Sequence, residues 1–430
     1  MKRLWILMGL LLTGCSTSPE MTSFFQKESV LSSDLDNIEP TTTVSMMLPL
    51  SGTWAATGES FQKASLLALN DTPNASVRIL FFDTQSTPEG TLKAYNDALE
   101  QNPDIILGPI FADEFKALPS PSFMNKPVLG YTSDNTLLNS ERTSFAVLIP
   151  EQIREIVRQN CLDGKKEIAV IGPEGKTGEI VMNALDESIK QCPGMTLKTF
   201  ALYDAKKQDM SEDILKILPT FINPKKKDLT EKEKELLEIP MEERLKFDSL
   251  LVFEEGTKLT QVMSILAFYD VTPKIIPIYT LSSAKSLKDN SLNGVMMADL
   301  PANNIFNQTY KNAFSKNPIR LSSLAYDSVS WIAKESLKGP VSLKGLQEAE
   351  PHQGVDGLVA LKQDGTNKRG LRLVRKTARG VVEVAPAPTD LDDRDFMLTI
   401  ESTDSALESP DASVESPEVF QQPILYQPLF

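Results

Sequence analysis

The sequence predicts an α/β protein with two doubly wound lobes, each a parallel β-sheet covered by helices on both faces. Two observations support this class. Short apolar runs alternate with longer segments whose apolar residues recur at helical spacing, in two series along the 430 residues. The runs are continuous, which is typical of strands buried on both faces, as in parallel sheets. We therefore expect one two-lobed domain over residues 44–384.

The first series predicts strands at 44–48, 77–82 and 105–107. The turn Pro49-Leu50-Ser51-Gly52 leads from the first strand into a helix, whose apolar face carries Phe61, Ala64, Leu67 and Ala68. The helix before the third strand carries Leu92, Tyr95, Ala98 and Leu99 on one face. Residues 44–143 and 277–335 are interpreted as lobe 1.

The second series begins near Ser144, and residues 144–276 and 336–384 are interpreted as lobe 2. Strands are expected at 168–171, 250–253 and 274–279. A charged helical insertion is expected at 205–247, where glutamates and lysines alternate. A late helix carries Leu321, Leu324, Ser328 and Ile332. The series closes with a hairpin over residues 355–374 that turns at Asp364-Gly365.

An export signal and a lipid attachment site are expected ahead of the lobes. Lys2 and Arg3 stand before a short apolar run that ends in Leu12-Thr13-Gly14-Cys15, the lipobox pattern of bacterial lipoproteins. The run is shorter than the roughly 20 residues that a membrane-spanning helix needs. Residues 1–14 are therefore predicted to be a signal peptide, with Cys15 acylated and residues 15–43 forming a flexible tether. Ser16, instead of aspartate, favours the outer membrane, with the body in the periplasm.

The composition changes after residue 384. Residues 385–430 contain six prolines, ten acidic residues and one basic residue, Arg394. Such a composition cannot bury enough apolar surface to fold, so a disordered acidic tail is expected. The last residues, Pro423-Ile424-Leu425-Tyr426-Gln427-Pro428-Leu429-Phe430, are more apolar than a solvating tail requires. They are either an idle terminus or a short docking peptide for a partner.

Composition and motifs argue against several function classes. The net charge of −14 is opposite to the basic surface that nucleic-acid binding needs. The only histidine, His352, is expected in a solvated loop, so no histidine base for serine or cysteine catalysis is predicted. The run Gly172-Pro173-Glu174-Gly175-Lys176-Thr177 is two residues short of a Walker loop and is interpreted as a strand-to-helix turn. We expect no enzyme activity, no cofactor and no metal site.

Cys161 and Cys192 are predicted to form a disulfide bond. In an oxidising compartment, two cysteines without zinc-ligand spacing favour a disulfide over a metal site. Both lie at the ends of consecutive predicted helices, and helices packed on one face of a parallel sheet end at the same edge.

A binding crevice is expected beyond the carboxyl ends of the strands, where doubly wound sheets bind their ligands. The candidate crevice residues are Ser51, Gly52, Trp54, Gly108, Phe111, Asp113, Tyr131, Ser133, Asp134, Asn135, Glu254, Tyr326 and Asp327. They line either a small-molecule site or a closed or protein-facing cleft. Some have structural alternatives, such as a helix cap at Ser51 or a plain turn at Asp134-Asn135.

The run Met47-Leu48-Pro49-Leu50-Ser51-Gly52, followed by Gly58, resembles the opening of type I periplasmic binding proteins of the leucine-binding class. Ile106-Leu107-Gly108-Pro109 resembles the turn after the third strand of that class, and Ala325-Tyr326-Asp327-Ser328-Val329 resembles its late helix. Residues 355–369 resemble its final hairpin. The resemblance covers about residues 42–384 and implies the type I periplasmic binding protein fold.

Within that class, the lipobox and the run Val128-Leu129-Gly130-Tyr131-Thr132-Ser133-Asp134-Asn135, with residues 145–156, resemble the penicillin-binding protein activators. This resemblance implies an outer-membrane lipoprotein that stimulates a peptidoglycan synthase. A synthase is then the expected protein partner, and the lipid anchor is the expected membrane contact. The longer activators carry a helical-repeat domain ahead of this fold. In the present sequence, the predicted tether of residues 15–43 occupies that position.

The turn after the third strand departs from the amino-acid-binding relatives. They tend to place a serine shortly after Gly-Pro to hold a ligand carboxylate, whereas Ile110-Phe111-Ala112-Asp113 stands here. The carboxylate of Asp113 would repel a ligand carboxylate. The sequence therefore favours a regulator that acts by protein contact, with the insertion and the tail as candidate contact sites. The alternatives are a solute-binding receptor of an ABC transporter, for amino acids or similar small molecules, and a cell-envelope scaffold without stimulatory effect.

Overall fold

A computed structural model describes residues 41–218 and 227–391 of the chain. Lobe 1 is built on a parallel sheet of the order β2-β1-β3-β4-β5. Its strands are β1 (Thr42–Leu48), β2 (Val77–Asp83), β3 (Ile105–Leu107), β4 (Val128–Gly130) and β5 (Arg142–Ser144). The helices that alternate with them are α1 (Ala55–Asn70), α2 (Pro88–Glu100) and α3 (Ala112–Ala117).

The central strands β1 and β3 of lobe 1 are buried on both faces, as expected, whereas β2, at the edge of the sheet, is only partly buried. Neighbouring residues Met46 and Met47 of β1 are both fully buried. Because successive side chains of a strand point to opposite faces, Met46 packs with Phe61 of α1, whereas Met47 packs with Tyr95 of α2. Thr87 starts α2 by accepting a hydrogen bond from the Gly90 N–H at 3.0 Å.

Lobe 2 is built on a sheet of the order β15-β14-β10-β9-β8-β6-β7. Its parallel strands are β6 (Glu167–Pro173), β7 (Thr196–Tyr203), β8 (Ser249–Val252), β9 (Ile278–Thr280) and β10 (Met296–Asp299). Two antiparallel strands, β14 (Arg372–Thr377) and β15 (Gly380–Ala385), extend one edge. The intervening helices are α4 (Ile149–Leu162), α5 (Lys176–Ile189), α6 (Ser211–Leu215), α7 (Glu231–Glu238), α8 (Met241–Arg244) and α9 (Gly256–Phe268).

A small antiparallel sheet, which we call the hinge sheet, lies between the lobes. Its strands are β11 (His352–Gly354), β12 (Gly357–Leu361) and β13 (Asn367–Arg369). Towards lobe 1, the Ser144 N–H donates to the Gly365 carbonyl at 2.9 Å. Towards lobe 2, Arg154 of α4 donates to the Arg369 carbonyl at 2.8 Å. The remaining helices are α10 (Asn304–Phe314), α11 (Ser323–Ser336) and α12 (Leu343–Glu348).

The division into lobes differs from the sequence interpretation at residues 277–299. These residues were assigned to lobe 1, but β9 and β10 pair with the lobe 2 sheet. The chain returns to lobe 1 only with α10 and α11, which pack against α1. Likewise, the end of the predicted hairpin, residues 372–374, belongs to β14 of lobe 2, while β12 and β13 form a hairpin around Asp364-Gly365. Apolar patterning marks a strand as buried but does not say which sheet buries it.

The prediction that His352 is solvated is wrong. His352 opens β11 and is buried, and its ring stacks on Trp331 of α11 with 5.4 Å between ring centroids and 8° between planes. Polar neighbours in the sequence suggested a loop, but pairing of His352 with Val359 of β12 draws the segment into the hinge sheet.

The two ends of the chain and part of the insertion lie outside the described residues. This applies to the signal peptide, Cys15, nearly all of the tether, residues 219–226 and residues 392–430. The described part of the insertion contains α6, α7 and α8, and its flanks contribute Ile214 and Phe247 to the lobe 2 core. The start of the predicted tail differs from the expectation, because Ala385 still belongs to β15 and Leu391 is buried.

Cys161 at the end of α4 and Cys192 just after α5 form a disulfide bond, with 6.0 Å between their Cα atoms. This is the pair that the sequence predicted, and α4 and α5 pack side by side on lobe 2. Among residues 41–218 and 227–391, the helices are too short or too polar to span a bilayer.

Candidate functional site

The carboxyl edge of the lobe 1 sheet collects most of the predicted crevice residues. The chain crosses from β1 to β2 on one side and then to β3 on the other, so the turns after β1 and β3 diverge at a topological switch point. Trp54, after β1, and Phe111, after β3, meet there with 5.0 Å between ring centroids. The Trp54 side chain remains 49% exposed. The switch point therefore presents one exposed aromatic side chain, Trp54, packed on the partly buried Phe111.

Asp83, at the end of β2, organises the turn after β1. Its carboxylate accepts hydrogen bonds from the N–H groups of Leu50 (2.9 Å), Ser51 (3.1 Å) and Gln85 (2.8 Å). The Ser51 hydroxyl donates to the same carboxylate at 2.6 Å. Partial burial acts to raise the pKa of Asp83, but these hydrogen bonds outweigh it and lower the pKa below its ordinary value. The Ser51 hydroxyl is thus directed to a carboxylate of this chain.

Two glycines allow the close approach of these turns. Gly52 has a φ of +80°, and a Cβ there would lie 2.6 Å from the Gln85 carbonyl oxygen. Gly108 precedes Pro109 in a cis peptide bond, and a Cβ there would lie 2.2 Å from the Met47 carbonyl oxygen. Both positions therefore require glycine.

The amino end of α3 is occupied by carboxylates of the chain. Glu114 is buried, accepts a hydrogen bond from the Phe111 N–H at 3.2 Å and accepts another from the Thr84 hydroxyl at 2.5 Å. Burial raises the pKa of Glu114. Asp113 is exposed in the same first turn, and Lys116 of the same helix pairs with it at 3.0 Å. Anions are favoured at a helix amino end, and here the chain supplies its own.

The turn after β4 is mainly structural. The Tyr131 side chain is buried, and its hydroxyl lies 2.8 Å from the Ser328 hydroxyl of α11. Asp134 caps the following turn by accepting hydrogen bonds from the N–H and the hydroxyl of Thr136. Ser133 is exposed, and Asn135 has a buried Oδ1 without a hydrogen-bond partner in the described part of the chain. Of these predicted residues, Ser133 is the one left open to solvent.

On lobe 2, Glu254 follows β8 at the corresponding edge. The Tyr203 hydroxyl, at the end of β7, donates to the Glu254 carboxylate at 2.6 Å. Burial and this carboxylate both raise the pKa of Tyr203. The turn that resembled a phosphate loop joins β6 to α5, with Gly175 at a φ of +91°. It is thus the strand-to-helix turn that the sequence indicated.

Tyr326 and Asp327 do not join the crevice. Tyr326 donates through its hydroxyl to Asp71 at 3.0 Å, just beyond the far end of α1. Asp327 is buried and accepts hydrogen bonds from the N–H groups of Val355 (2.7 Å) and Asp356 (2.9 Å). Burial and the nearby Asp356 carboxyl raise the pKa of Asp327. These late-helix residues therefore hold α11 to α1 and to the hinge sheet.

Sequence reasoning missed three strongly engaged polar residues, namely Asp83 and Glu114 at the lobe 1 edge and Tyr203 at the lobe 2 edge. Asp83 and Tyr203 are the last residues of the edge strands β2 and β7, so the rule that crevice residues follow the strand ends could have found them. Glu114 carries no such signal, because its role depends on Thr84, which is 30 positions away in the chain. Among the described residues, no group of three or more His, Cys, Asp or Glu side chains is placed to hold a metal ion.

The architecture is that of a two-lobed α/β binding protein whose polar groups lie at strand ends. The chain belongs to the periplasmic binding protein family, whose sequence model matches residues 41–336. This confirms the predicted fold class and implies a location outside the cytoplasmic membrane. No curated protein matches the sequence.

Solved structures of this fold resemble the chain at low identity. A putative branched-chain amino acid ABC transporter protein from Rhodospirillum rubrum has a TM-score of 0.59 and 15% identity over 80% of this chain and 100% of that chain. The leucine-, isoleucine-, valine-, threonine- and alanine-binding protein from Brucella ovis has a TM-score of 0.56 and 14% identity, over 82% and 95%. Full-length LpoA from Haemophilus influenzae has a TM-score of 0.56 and 16% identity. The matched region comprises 80% of this chain and 59% of LpoA. At these identities the similarities show the fold.

Proposed function

We propose that the protein is a non-enzymatic periplasmic lipoprotein, anchored in the outer membrane through Cys15, that binds and activates a peptidoglycan synthase of the penicillin-binding protein class. The resemblance to the penicillin-binding protein activators motivates this proposal. The observation that carries it is the occupation of the lobe 1 switch point by the carboxylates of Asp83, Glu114 and Asp113.

These carboxylates disfavour an amino-acid ligand held by its own carboxylate. Such a ligand needs hydroxyl and N–H donors, but the Ser51 hydroxyl and the Phe111 N–H already donate to Asp83 and Glu114. A ligand carboxylate would also face Asp113, which is exposed. Like charges at an interface cost free energy, so this edge suits a partner with basic or apolar groups.

The exposed Trp54, packed on the partly buried Phe111, is the proposed centre of the contact. A few residues contribute most of the binding free energy in protein interfaces, and they are enriched in tryptophan and tyrosine. Truncation of such a residue costs about 2 kcal/mol or more, which is about thirtyfold in affinity. Asp113 beside the pair would attract a basic group of the partner.

A synthase assay tests the proposal with the full-length lipidated protein in detergent. Glycan polymerisation by a purified bifunctional synthase is measured with the wild-type protein, with Trp54→Ala and with Phe123→Ala. Phe123 is a matched control because it is 77% exposed but precedes β4, at the opposite edge of the sheet. We expect stimulation by the wild type and by Phe123→Ala, and half-maximal stimulation by Trp54→Ala only at a concentration more than about tenfold higher. Absence of stimulation by the wild type would refute the activator function.

The lipid anchor is tested separately. Cys15→Ser should move the protein from the outer-membrane fraction to the soluble periplasmic fraction, because the acyl chains provide the membrane affinity. Retention of Cys15→Ser in the membrane fraction would contradict anchoring at this residue.

A solute-binding receptor is the second candidate function. The Glu254 carboxylate, half-buried at the lobe 2 edge and held by Tyr203, is suited to an ammonium group of a ligand. Ligand binding to the folded protein adds RT ln(1 + [L]/Kd) to the free energy of unfolding. The melting temperature of a receptor should therefore rise with ligand concentration. A saturable rise with any of the protein amino acids would favour this function over the activator.

A further inference from the structure

Three stretches of the chain cross between the lobes. Residues 145–148 lead from β5 into α4, residues 300–303 lead from β10 into α10, and residues 337–371 contain the hinge sheet. Movement of one lobe relative to another requires changes of φ and ψ in a few residues of such crossings. The polar contacts of the crossings therefore determine how readily the lobes can move.

The first crossing is bonded to side chains of β13. The Asn367 amide donates to the carbonyls of Ser144 (2.8 Å) and Ala146 (2.9 Å). The Arg369 guanidinium donates to the Phe145 carbonyl between them and lies 4.7 Å from the centre of the Phe145 ring. Asn367 and Arg369 are both buried. Three successive carbonyls are thus bonded to one strand of the hinge sheet, and rotation of this segment would break buried hydrogen bonds.

Lobe 2 holds the hinge sheet through an ion pair at the start of α4. Glu151 is buried, and Arg154 donates to its carboxylate through Nε (3.1 Å) and Nη2 (2.9 Å). Both side chains also bond the backbone of Arg369. Glu151 accepts from the Arg369 N–H at 3.0 Å, and Arg154 donates to the Arg369 carbonyl at 2.8 Å. Because β13 lies at the edge of the hinge sheet, the ion pair bonds the backbone groups that a further strand would bond.

Lobe 1 holds the same sheet through Asp327 of α11. Its carboxyl group accepts hydrogen bonds from the N–H groups of Val355 and Asp356, which lie between β11 and β12. Gly354 allows this close contact, since a Cβ there would lie 2.3 Å from the Asp327 carboxyl group. The hinge sheet is therefore bonded to both lobes through buried acidic side chains.

Arg369 lies where these contacts meet, and its side chain is fully buried. Burial lowers the pKa of Arg369, whereas the nearby carboxyl groups of Asp356, Asp327 and Glu151 act to raise it. Asp327 belongs to lobe 1 and Glu151 to lobe 2. Buried charges are screened little by solvent, so separation of either carboxyl group from the Arg369 cation would be costly.

The second crossing is bridged by an ion pair between the lobes. Asp299, at the end of β10 in lobe 2, is buried and accepts a hydrogen bond from Arg320 at 2.8 Å. Arg320 precedes α11, which packs on α1 of lobe 1. At this crossing too, a buried carboxylate of one lobe is bonded to a side chain of the other.

We propose that these contacts form an interlobe latch, centred on Arg369, that holds the two lobes in one relative orientation. The latch consists of Glu151, Arg154, Asp327, Asn367 and Arg369. It keeps the two crevice edges at a fixed separation, so that a molecule binding there meets a preformed surface. Closure of the lobes around a solute would require rotation at the hinge, which the latch opposes. The inference does not depend on whether the protein binds a synthase.

Pulsed electron paramagnetic resonance between two spin labels tests the inference on the full chain carrying Cys15→Ser. The other two cysteines of the chain form the disulfide, so the labels attach only at introduced cysteines. Ser133→Cys and Thr177→Cys place one label at the exposed crevice edge of each lobe. We expect a single distance distribution, as narrow as that of Thr177→Cys with Ser264→Cys, which both lie on lobe 2.

A double variant should release the latch. Glu151→Ala with Arg154→Ala removes both bonds to the Arg369 backbone and leaves neither member of the pair as an unpaired charge. Each lost bond involves a charged group, so the population of other lobe orientations should rise about tenfold or more per bond, which broadens the distribution or adds a second distance. Glu155→Ala with Arg158→Ala is the matched control, because this pair has the same spacing and similar burial, and its hydrogen bonds lie within α4.

The matched control should keep the narrow distribution, and cooperative thermal unfolding checks that each variant folds. If the Glu151 and Arg154 double variant does not fold, Arg154→Gln takes its place. The inference is overturned if the protein with an intact latch gives a broad or two-peaked distribution, or if a mixture of the protein amino acids shifts its distance. It is also overturned if the variant that releases the latch gives a distribution as narrow as that of the matched control.

Discussion

Replacement of His352 by phenylalanine tests whether a buried imidazole stays neutral in the folded protein. His352 is 6% exposed, stacks on Trp331, and its Nε2 has no hydrogen-bond partner within the described residues. Burial, with smaller contributions from the cations of Lys334 and Arg369, lowers the pKa of His352 to about 3. Phenylalanine keeps an aromatic ring at this position and does not titrate.

The pH dependence follows from the difference between the folded and unfolded states. In the unfolded chain, the imidazole takes up a proton below about pH 6.5, whereas in the folded protein it does so only near its pKa of about 3. The lowered pKa means that protonation favours the unfolded state, so stability is full above about pH 6.5 and falls as the pH falls. Each pH unit below 6.5 costs about 1.4 kcal/mol, which amounts to about 2 kcal/mol at about pH 5.

Urea denaturation of the wild type and His352→Phe at about pH 7.5, 6 and 5 measures this effect. The quantity of interest is the difference in the free energy of unfolding between the two proteins, because other titrating groups largely cancel in it. We expect the wild type to lose about 2 kcal/mol relative to His352→Phe between about pH 7.5 and pH 5. A difference that stays constant with pH would show that the imidazole takes up a proton as readily in the folded protein as in the unfolded chain, and the argument from burial would then fail.

Three further predictions concern stability. Replacement of both Cys161 and Cys192 by alanine removes a crosslink that spans 31 residues, and loop entropy predicts that the free energy of unfolding falls by about 3 to 4 kcal/mol. Urea denaturation without reductant measures this loss, and unchanged stability would contradict the disulfide. Gly130→Ala places a Cβ 2.0 Å from a phenylalanine ring of α3 and should cost about 1 to 3 kcal/mol, whereas Gly345→Ala, with its nearest atom at 3.4 Å, should leave the melting temperature nearly unchanged. Tyr131→Phe removes a hydroxyl 2.8 Å from a serine of α11 and should cost about 1 kcal/mol in the same measurement, and an equal or higher stability would show that this bond contributes nothing.

The candidate site was only partly predictable. The switch-point turns with Ser51, Trp54, Gly108 and Phe111 follow from the rule that crevices lie beyond strand ends, and the structure brings these turns together. Tyr326 lies at the far end of α1. Its position depends on how α11 packs, and the apolar spacing of a helix does not determine this.

The sequence by itself determined the class of fold, because continuous apolar runs that alternate with helical periodicity can be buried only in parallel sheets covered by helices. It also indicated the pairing of Cys161 with Cys192. Only the tertiary structure decided that β9 and β10 belong to lobe 2, that His352 is buried, and that Arg320 meets Asp299 across the hinge. These features depend on contacts between residues that are distant in the chain, and the periodicity of a single segment carries no information about its partner.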